Sequence, residues 1–151
     1  MSTLVLELRQ GETMIVNGAP IRFRTKTRLE LTAHARFLFG KQIMPPEAAD
    51  TPARRIYFAL QTAYIGAEEE RAGGLVTARR LVAEFQEATT SALAREMLRR
   101  ALELAEGEDP YQALKLARRV MLHEQQVLGL PDAPQARRGT PAAAARPARD
   151  G

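Results

Sequence analysis

Arg22, Arg24, Lys26 and Arg28 occupy every second position of one short stretch. Alternate residues of a strand project from the same side, so this spacing would line one sheet face with four cations. Such a row can follow successive phosphates, and arginine can also stack on an exposed base or grip a phosphate bidentately. From the pattern alone, a solvated strand whose charges guard an edge against pairing is the simpler account. A second group follows at Arg54, Arg55 and Tyr57, with Phe58 beside them. Cations at the start of a helix oppose its dipole, which calls for a carboxylate or phosphate partner for at least one of the two arginines. Aromatic rings beside arginines serve stacking in readers of single-stranded RNA. Packing of such a ring onto a sheet is the plainer alternative. These seven residues, Arg22, Arg24, Lys26, Arg28, Arg54, Arg55 and Tyr57, are the candidate RNA contacts.

Catalytic chemistry finds little in the chain. His34 and His123 are far apart, and neither stands in a metal-ligand spacing. His123 is followed by Glu124, a pair expected on a solvated helix face. Gly73-Gly74 lacks the following Lys-Ser or Lys-Thr of a phosphate loop, and no Gly-x-Ser-x-Gly elbow occurs. There is no cysteine, which removes disulfides, thiolate catalysis and cysteine-ligated zinc. A binding protein is expected, not an enzyme, with no metal or other cofactor.

The partner's charge is suggested by how the cations are distributed. Residues 1–60 hold nine Lys/Arg against five Asp/Glu, whereas residues 61–130 hold nine against eleven. A basic first part facing a mildly acidic middle suggests an anionic partner for the former and protein contacts for the latter. Arg137, Arg138, Arg146 and Arg149 at the end could add non-specific attraction to RNA, and a solubilising tail explains them equally well. No apolar run approaches the ~20 residues that cross a bilayer. Met1-Ser2-Thr3 opens no basic region ahead of an apolar stretch, so neither a signal peptide nor a membrane partner is expected. A cytoplasmic address follows as an expectation.

The elements that must position these residues divide the chain in two. Leu4, Leu6 and Leu8 alternate with Val5, Glu7 and Arg9, the period of a half-buried strand. Met14-Ile15-Val16 follows, then Asn17-Gly18, the pair that a type I′ hairpin turn favours because both positions need positive φ. Ile21, Phe23 and Thr25 share one side of the next strand, and Leu29, Leu31 and Phe37 to Phe39 continue the antiparallel set. Thr51-Pro52 changes the period, with a threonine cap and proline at the first helical position. That helix is expected to end near Gly66, and Gly73-Gly74 to separate it from a second carrying Leu75, Ala78, Val82 and Phe85. Thr90 or Ser91 caps a third, and Asp109-Pro110 starts a fourth that Gly129 ends. From Pro131 the chain is mostly Pro, Ala, Arg and Gly, too poor in apolar surface to offset ordering entropy. The expected fold is α+β: an antiparallel β unit over residues 1–50, a helical bundle over 51–130 packed with it as one domain, and a disordered tail over 131–151.

Taken in order, the chain resembles the FlbT family of flagellar regulators. Leu6-Glu7-Leu8-Arg9-Gln10-Gly11-Glu12 followed by Ile15-Val16-Asn17-Gly18-Ala19 is similar to that family's opening strand, turn and hairpin. Ile43-Met44-Pro45-Pro46-Glu47-Ala48 and Thr51-Pro52-Ala53-Arg54-Arg55-Ile56-Tyr57-Phe58 resemble its central signature. Tyr111-Gln112-Ala113-Leu114-Lys115, with Arg118 and Glu124, resembles its last helix, so the likeness spans about residues 4 to 130. Phe39-Gly40 and Pro110 depart from the pattern, standing where a charged pair and a second tyrosine are usual. The resemblance implies post-transcriptional control through the 5′ untranslated region of flagellin mRNA. In some relatives this represses translation and shortens message lifetime, and in others the protein is needed for flagellin production; repression is the sign expected here. It also implies FlaF, a small flagellar regulatory protein, or flagellin itself as a protein partner.

Overall fold

The computed structural model of the protein describes residues 4–33, 35–107 and 109–131. The expected tail therefore lies outside the described residues apart from Pro131, as does His34. Five strands form two small sheets among the described residues. Strand β1 (Leu4–Leu8) pairs antiparallel with β4 (Thr27–Leu31), setting Leu6 opposite Leu29 and Glu7 opposite Arg28. Strand β2 (Thr13–Val16) forms a hairpin with β3 (Ala19–Arg22) and pairs along its other edge with β5 (Phe37–Phe39). Asn17 has φ 49° and Gly18 φ 86°, the two positive values of the expected hairpin turn. Leu6, Leu8 and Met14 are buried together under Phe23, Leu29, Phe37 and Phe39.

The antiparallel set is thus two sheets and not one, and this breaks the expected basic strand. β3 ends at Arg22 and β4 begins at Thr27, so Arg24 and Lys26 lie in the connection between sheets. The cause is Phe23. Its amide donates to the Glu12 carbonyl and its carbonyl accepts from Gly11, while its ring joins the apolar cluster. Holding Phe23 there bends the chain out of strand geometry, and the period-2 row of cations stops with it.

Four helices follow, each start marked by local chemistry. Helix α1 (Pro52–Ile65) is capped by Thr51, whose Oγ1 accepts from the Arg54 amide, and it ends at Gly66 as expected. Helix α3 (Ala92–Glu106) is capped by Ser91 and α4 (Pro110–Leu128) by Asp109. Helix α2 (Glu68–Ala88) departs from expectation, because it runs straight through Gly73-Gly74. Glu68, Glu69 and Glu70 form its first turn, where carboxylates favour the positive end of the dipole. Gly74 is not a breaker but a contact point. A Cβ there would lie 2.8 Å from the Ala63 amide nitrogen and 3.0 Å from the Ala59 carbonyl oxygen, so α2 rests directly on the α1 backbone. No described helix is long and apolar enough to cross a membrane.

Helix α1 is the centre of the molecule. It packs against α2 and α4 and touches α3, burying Ile56, Ala59, Leu60 and Ile65 with Leu38, Val82, Leu98 and Val120. One row on α1 also holds the β unit. Tyr57, Gln61 and Tyr64 recur at helical spacing, and each is buried except for a polar tip aimed at the chain between β5 and the helix. The Tyr57 hydroxyl donates to the Gln42 carbonyl at 2.6 Å. Gln61 closes a pair with Met44, accepting from its amide at 2.8 Å and donating to its carbonyl at 3.0 Å. Tyr64 accepts from the Phe37 amide at 3.2 Å and donates to its carbonyl at 3.3 Å.

Two adjacent glycines should respond in opposite senses. Gly73→Ala meets nothing within 4 Å and should stabilise the helix by roughly 0.5–1 kcal/mol, the usual propensity gain. Gly74→Ala should destabilise by about 1–3 kcal/mol through overpacking against α1. Urea unfolding of both variants checks this, and equal effects would show that α2 does not rest on α1 here. At the hairpin, Gly18→Val should cost more stability than Ala19→Val by about 1–2 kcal/mol, since a β-branched residue is strained at positive φ; thermal melts of the two compare them directly.

Candidate nucleic-acid interface

The four cations of the broken stripe remain together in space only as a corner. Arg22 ends β3, Arg24 and Lys26 sit in the turn, and Arg28 lies in β4. All four are exposed. Lys26 Nζ is 4.0 Å from the Glu7 carboxylate, a contact weak at this exposure. Arg24 and Arg28 form no ion pair among the described residues.

The second group of candidates divides. Arg54 is buried, only 4% exposed, with Nη1 2.9 Å from Asp50 and Nη2 donating to the Pro131 carbonyl at 2.7 Å. The carboxylate partner that the helix dipole calls for is therefore inside the protein, and the guanidinium ties the chain's exit from α4 to the start of α1. Tyr57 is buried in the row described above, so neither Arg54 nor Tyr57 offers an exposed face for a base. Arg55 is exposed, at the lip of an open groove between α1 and α2 with Phe58, Gly73 and Arg80.

Glu124 corrects the expectation of a solvated pair with His123. His123 is exposed, but Glu124 is buried, reaching from α4 to the N-terminus of α1. Its oxygens accept from the Thr51 hydroxyl at 2.5 Å and from the Ala53 amide at 3.0 Å. A carboxylate there satisfies an orphan amide and faces the positive end of the dipole, so its burial is compensated. Glu124 thus completes the cap that Thr51 begins.

A cleft of about 310 Å³ opens beside Tyr57, where α4 passes the turn after β5. Leu38 and Leu114 lie at its base, and Lys41, Lys115, Arg118, Gln42 and Tyr111 surround it. Tyr111 Oη accepts from Gln42 Nε2 at 2.7 Å, and Lys115 Nζ lies 5.2 Å from the Tyr111 ring centroid. Arg118 lines the same cleft as Tyr57. Burial pushes the Tyr57 hydroxyl from 10.0 up to about 12, against the opposing pull of Arg118. Burial raises Tyr64 as well. Sequence reasoning did not single out this cleft. Tyr111, Lys115 and Arg118 were legible as one face of α4 from their spacing of four and three; Lys41 carried no such signal, because a turn brings it there.

No group of three or more His, Asp or Glu that could hold a metal occurs among the described residues. The features that remain are an exposed basic corner and a cationic cleft on an α+β frame. The chain belongs to the FlbT family of flagellar proteins, whose model, "Flagellar protein FlbT", matches residues 4–128. A relative in Mesorhizobium japonicum is 31% identical over 142 residues, covering 89% of this chain and 93% of its own. One in Brucella ovis is 32% identical over 124 residues, covering 82% and 81%. Both carry the name "Probable flagellum biosynthesis repressor protein FlbT". No solved structure matches the chain.

The tyrosine row makes a pH prediction. A hydroxyl whose folded pKa of about 12 exceeds the unfolded 10.0 stabilises the fold fully below pH 10 and loses that contribution as pH rises toward 12. The loss should approach ~1.4 kcal/mol per pH unit within that window. Tyr57→Phe should start less stable, lacking the bond to Gln42, yet decline less steeply over the same range. Urea unfolding at stepped alkaline pH measures both slopes, and identical slopes would show that Tyr57 titrates normally.

Proposed function

We propose that this chain is a post-transcriptional repressor of flagellin synthesis. It binds the 5′ untranslated region of flagellin mRNA in the cytoplasm, controls translation and stability of the message, and catalyses no reaction. The observation that carries the reading is the exposed basic corner of Arg22, Arg24, Lys26 and Arg28. On α2 and α3 four exposed arginines are matched by carboxylates: Arg79 with Glu106, Arg80 with Glu84, Arg99 with Glu96 and Glu103, and Arg100 with Glu103. Those four cations are neutralised within α2 and α3, whereas Arg24 and Arg28 at the corner form no ion pair among the described residues. A corner of cations can follow a bending single strand as readily as a straight row can. Arg55, exposed beside Phe58, extends the same capacity to the α1–α2 side. The relatives' printed name supports repression as the sign and the flagellum as the target.

A second reading, an adaptor that reaches the message through FlaF or flagellin, is favoured by the apolar end of α4. Leu122, Val127 and Leu128 are exposed there at 42%, 67% and 58%. One measurement separates the two. Filter binding of the purified protein to its flagellin leader in rising salt should show tight binding with a steep salt dependence. Replacing Arg22, Arg24 and Arg28 together with glutamine should weaken it and lower the log–log salt slope by roughly 0.7 per lost contact. Arg54→Gln should instead lower the melting temperature, because it removes buried bonds. Unchanged affinity and slope in the triple variant would reduce the corner to a solvated face, and absence of leader binding by the parent at low salt would favour the adaptor.

A further inference from the structure

The cleft beside Tyr57 is not needed to explain the fold. Lys41, Lys115 and Arg118 converge on it from two separate elements, and none forms an ion pair among the described residues. No acidic residue lines it. This contrasts with Arg79, Arg80, Arg99 and Arg100 on α2 and α3, each matched by a glutamate. Like charges brought together without a counterion repel, so the arrangement is unfavourable until an anion is bound. The remaining walls are of a different kind. Leu38 and Leu114 are almost fully buried and supply an apolar floor, with the Tyr111 ring at its side.

The polar groups around the cleft are also held in place. Gln42 is fixed at both ends, its Oε1 accepting from the Phe39 amide at 3.1 Å and its Nε2 donating to Tyr111 Oη at 2.7 Å. Because Tyr111 Oη receives that bond, its own hydrogen stays available for an acceptor in the cleft. Arg118 lines the cleft together with Tyr57, whose hydroxyl is anchored on the Gln42 carbonyl. Lys115 rests over the Tyr111 ring in a half-solvated contact that a phosphate would outcompete. A volume of about 310 Å³ stands at the low end of small-ligand sites, room for one nucleotide and too little for a duplex.

We propose that this cleft binds a single nucleotide, the phosphate held by Lys41, Lys115 and Arg118 and the base lodged against Leu38, Leu114 and the Tyr111 ring. The inference rests on the RNA-binding reading in one respect: an unpaired nucleotide of the leader is the expected source, giving the corner's charge-driven contact a point of recognition. A free ribonucleoside monophosphate shares the chemistry, and the experiment distinguishes the two.

Full-length protein is titrated calorimetrically with AMP, GMP, CMP, UMP and inorganic phosphate, and in parallel with flagellin leader RNA. Lys41→Gln with Lys115→Gln alters only exposed side chains and should leave melting unchanged, so it carries the test even if Tyr111→Leu folds poorly. The lysine pair should weaken leader binding about tenfold at moderate salt. Tyr111→Leu should weaken it about fivefold with the salt slope unchanged, since a stacking surface and no charge is lost, and Tyr111→Phe should restore most of the affinity. Weak mononucleotide binding, stronger than that of phosphate alone and lost in the lysine pair, should accompany this. A parent that binds a mononucleotide through the cleft but no leader would sink the RNA reading and leave the cleft as a free-nucleotide site. A parent that binds leader as tightly as every cleft variant does, with no mononucleotide bound, would overturn the cleft assignment and leave the RNA reading standing. Binding of neither would overturn both.

Discussion

The β unit is too small to persist alone, and a row of side chains on α1 does most to attach it to the helices. Isolated hairpins and two-stranded sheets are marginal in water. Here the segment from Phe37 to Met44 leaves β5 and would expose several unpaired backbone groups against an apolar helix. Tyr57, Gln61 and Tyr64 answer those groups one after another, so α1 acts toward this segment much as a neighbouring strand would. Each side chain carries an apolar body into the core and delivers a polar tip to the backbone, which is why three buried polar residues cost the core little. Loss of the row would orphan carbonyls and amides in the interior and release the β unit.

The same row determines where binding chemistry can occur. Tyr57 spends its hydroxyl on the Gln42 carbonyl, so it is withdrawn from solvent, with Arg118 in the same cleft. Arg54, one turn earlier, is likewise spent on Asp50 and Pro131. Glu124 reaches over from α4 to cap the same end of α1. These contacts clamp α4 against α1 at one end, while Tyr111 beside Tyr64 holds the other, their ring centroids 6.2 Å apart. The cleft lies along this seam. Residues that look functional in the sequence are therefore scaffold, and the exposed groups around them are what remains for a ligand.

Charge is allotted differently to the two halves. Helices α2 and α3 place arginine and glutamate at spacings of three and four, or across the helix pair, so Arg79, Arg80, Arg99 and Arg100 each find a carboxylate. Such surface pairs add little stability, but they leave those faces close to neutral. Arg24 and Arg28 at the β corner and the cations of the cleft form no ion pair among the described residues, and both groups lie toward the N-terminal half or at its junction with α4.

Local chemistry was legible from the residues in order. Thr51-Pro52, Ser91 and Asp109-Pro110 start helices because capping acts within three or four residues, and Asn17-Gly18 turns because few other pairs accept two positive φ values. The α+β division follows from the same change of period. Tertiary structure alone decided the rest. Gly73-Gly74 looks like a break until α1 arrives to need the space that Gly74 leaves, and packing then outweighs propensity. The even row from Arg22 to Arg28 looks like one strand until Phe23 is drawn into a cluster whose other members are distant in sequence. Glu124 looks solvated until the N-terminus of α1, some seventy residues earlier, is set against it. In each case the deciding energy lies in a contact between segments far apart in the chain, which no pattern within a single segment can encode.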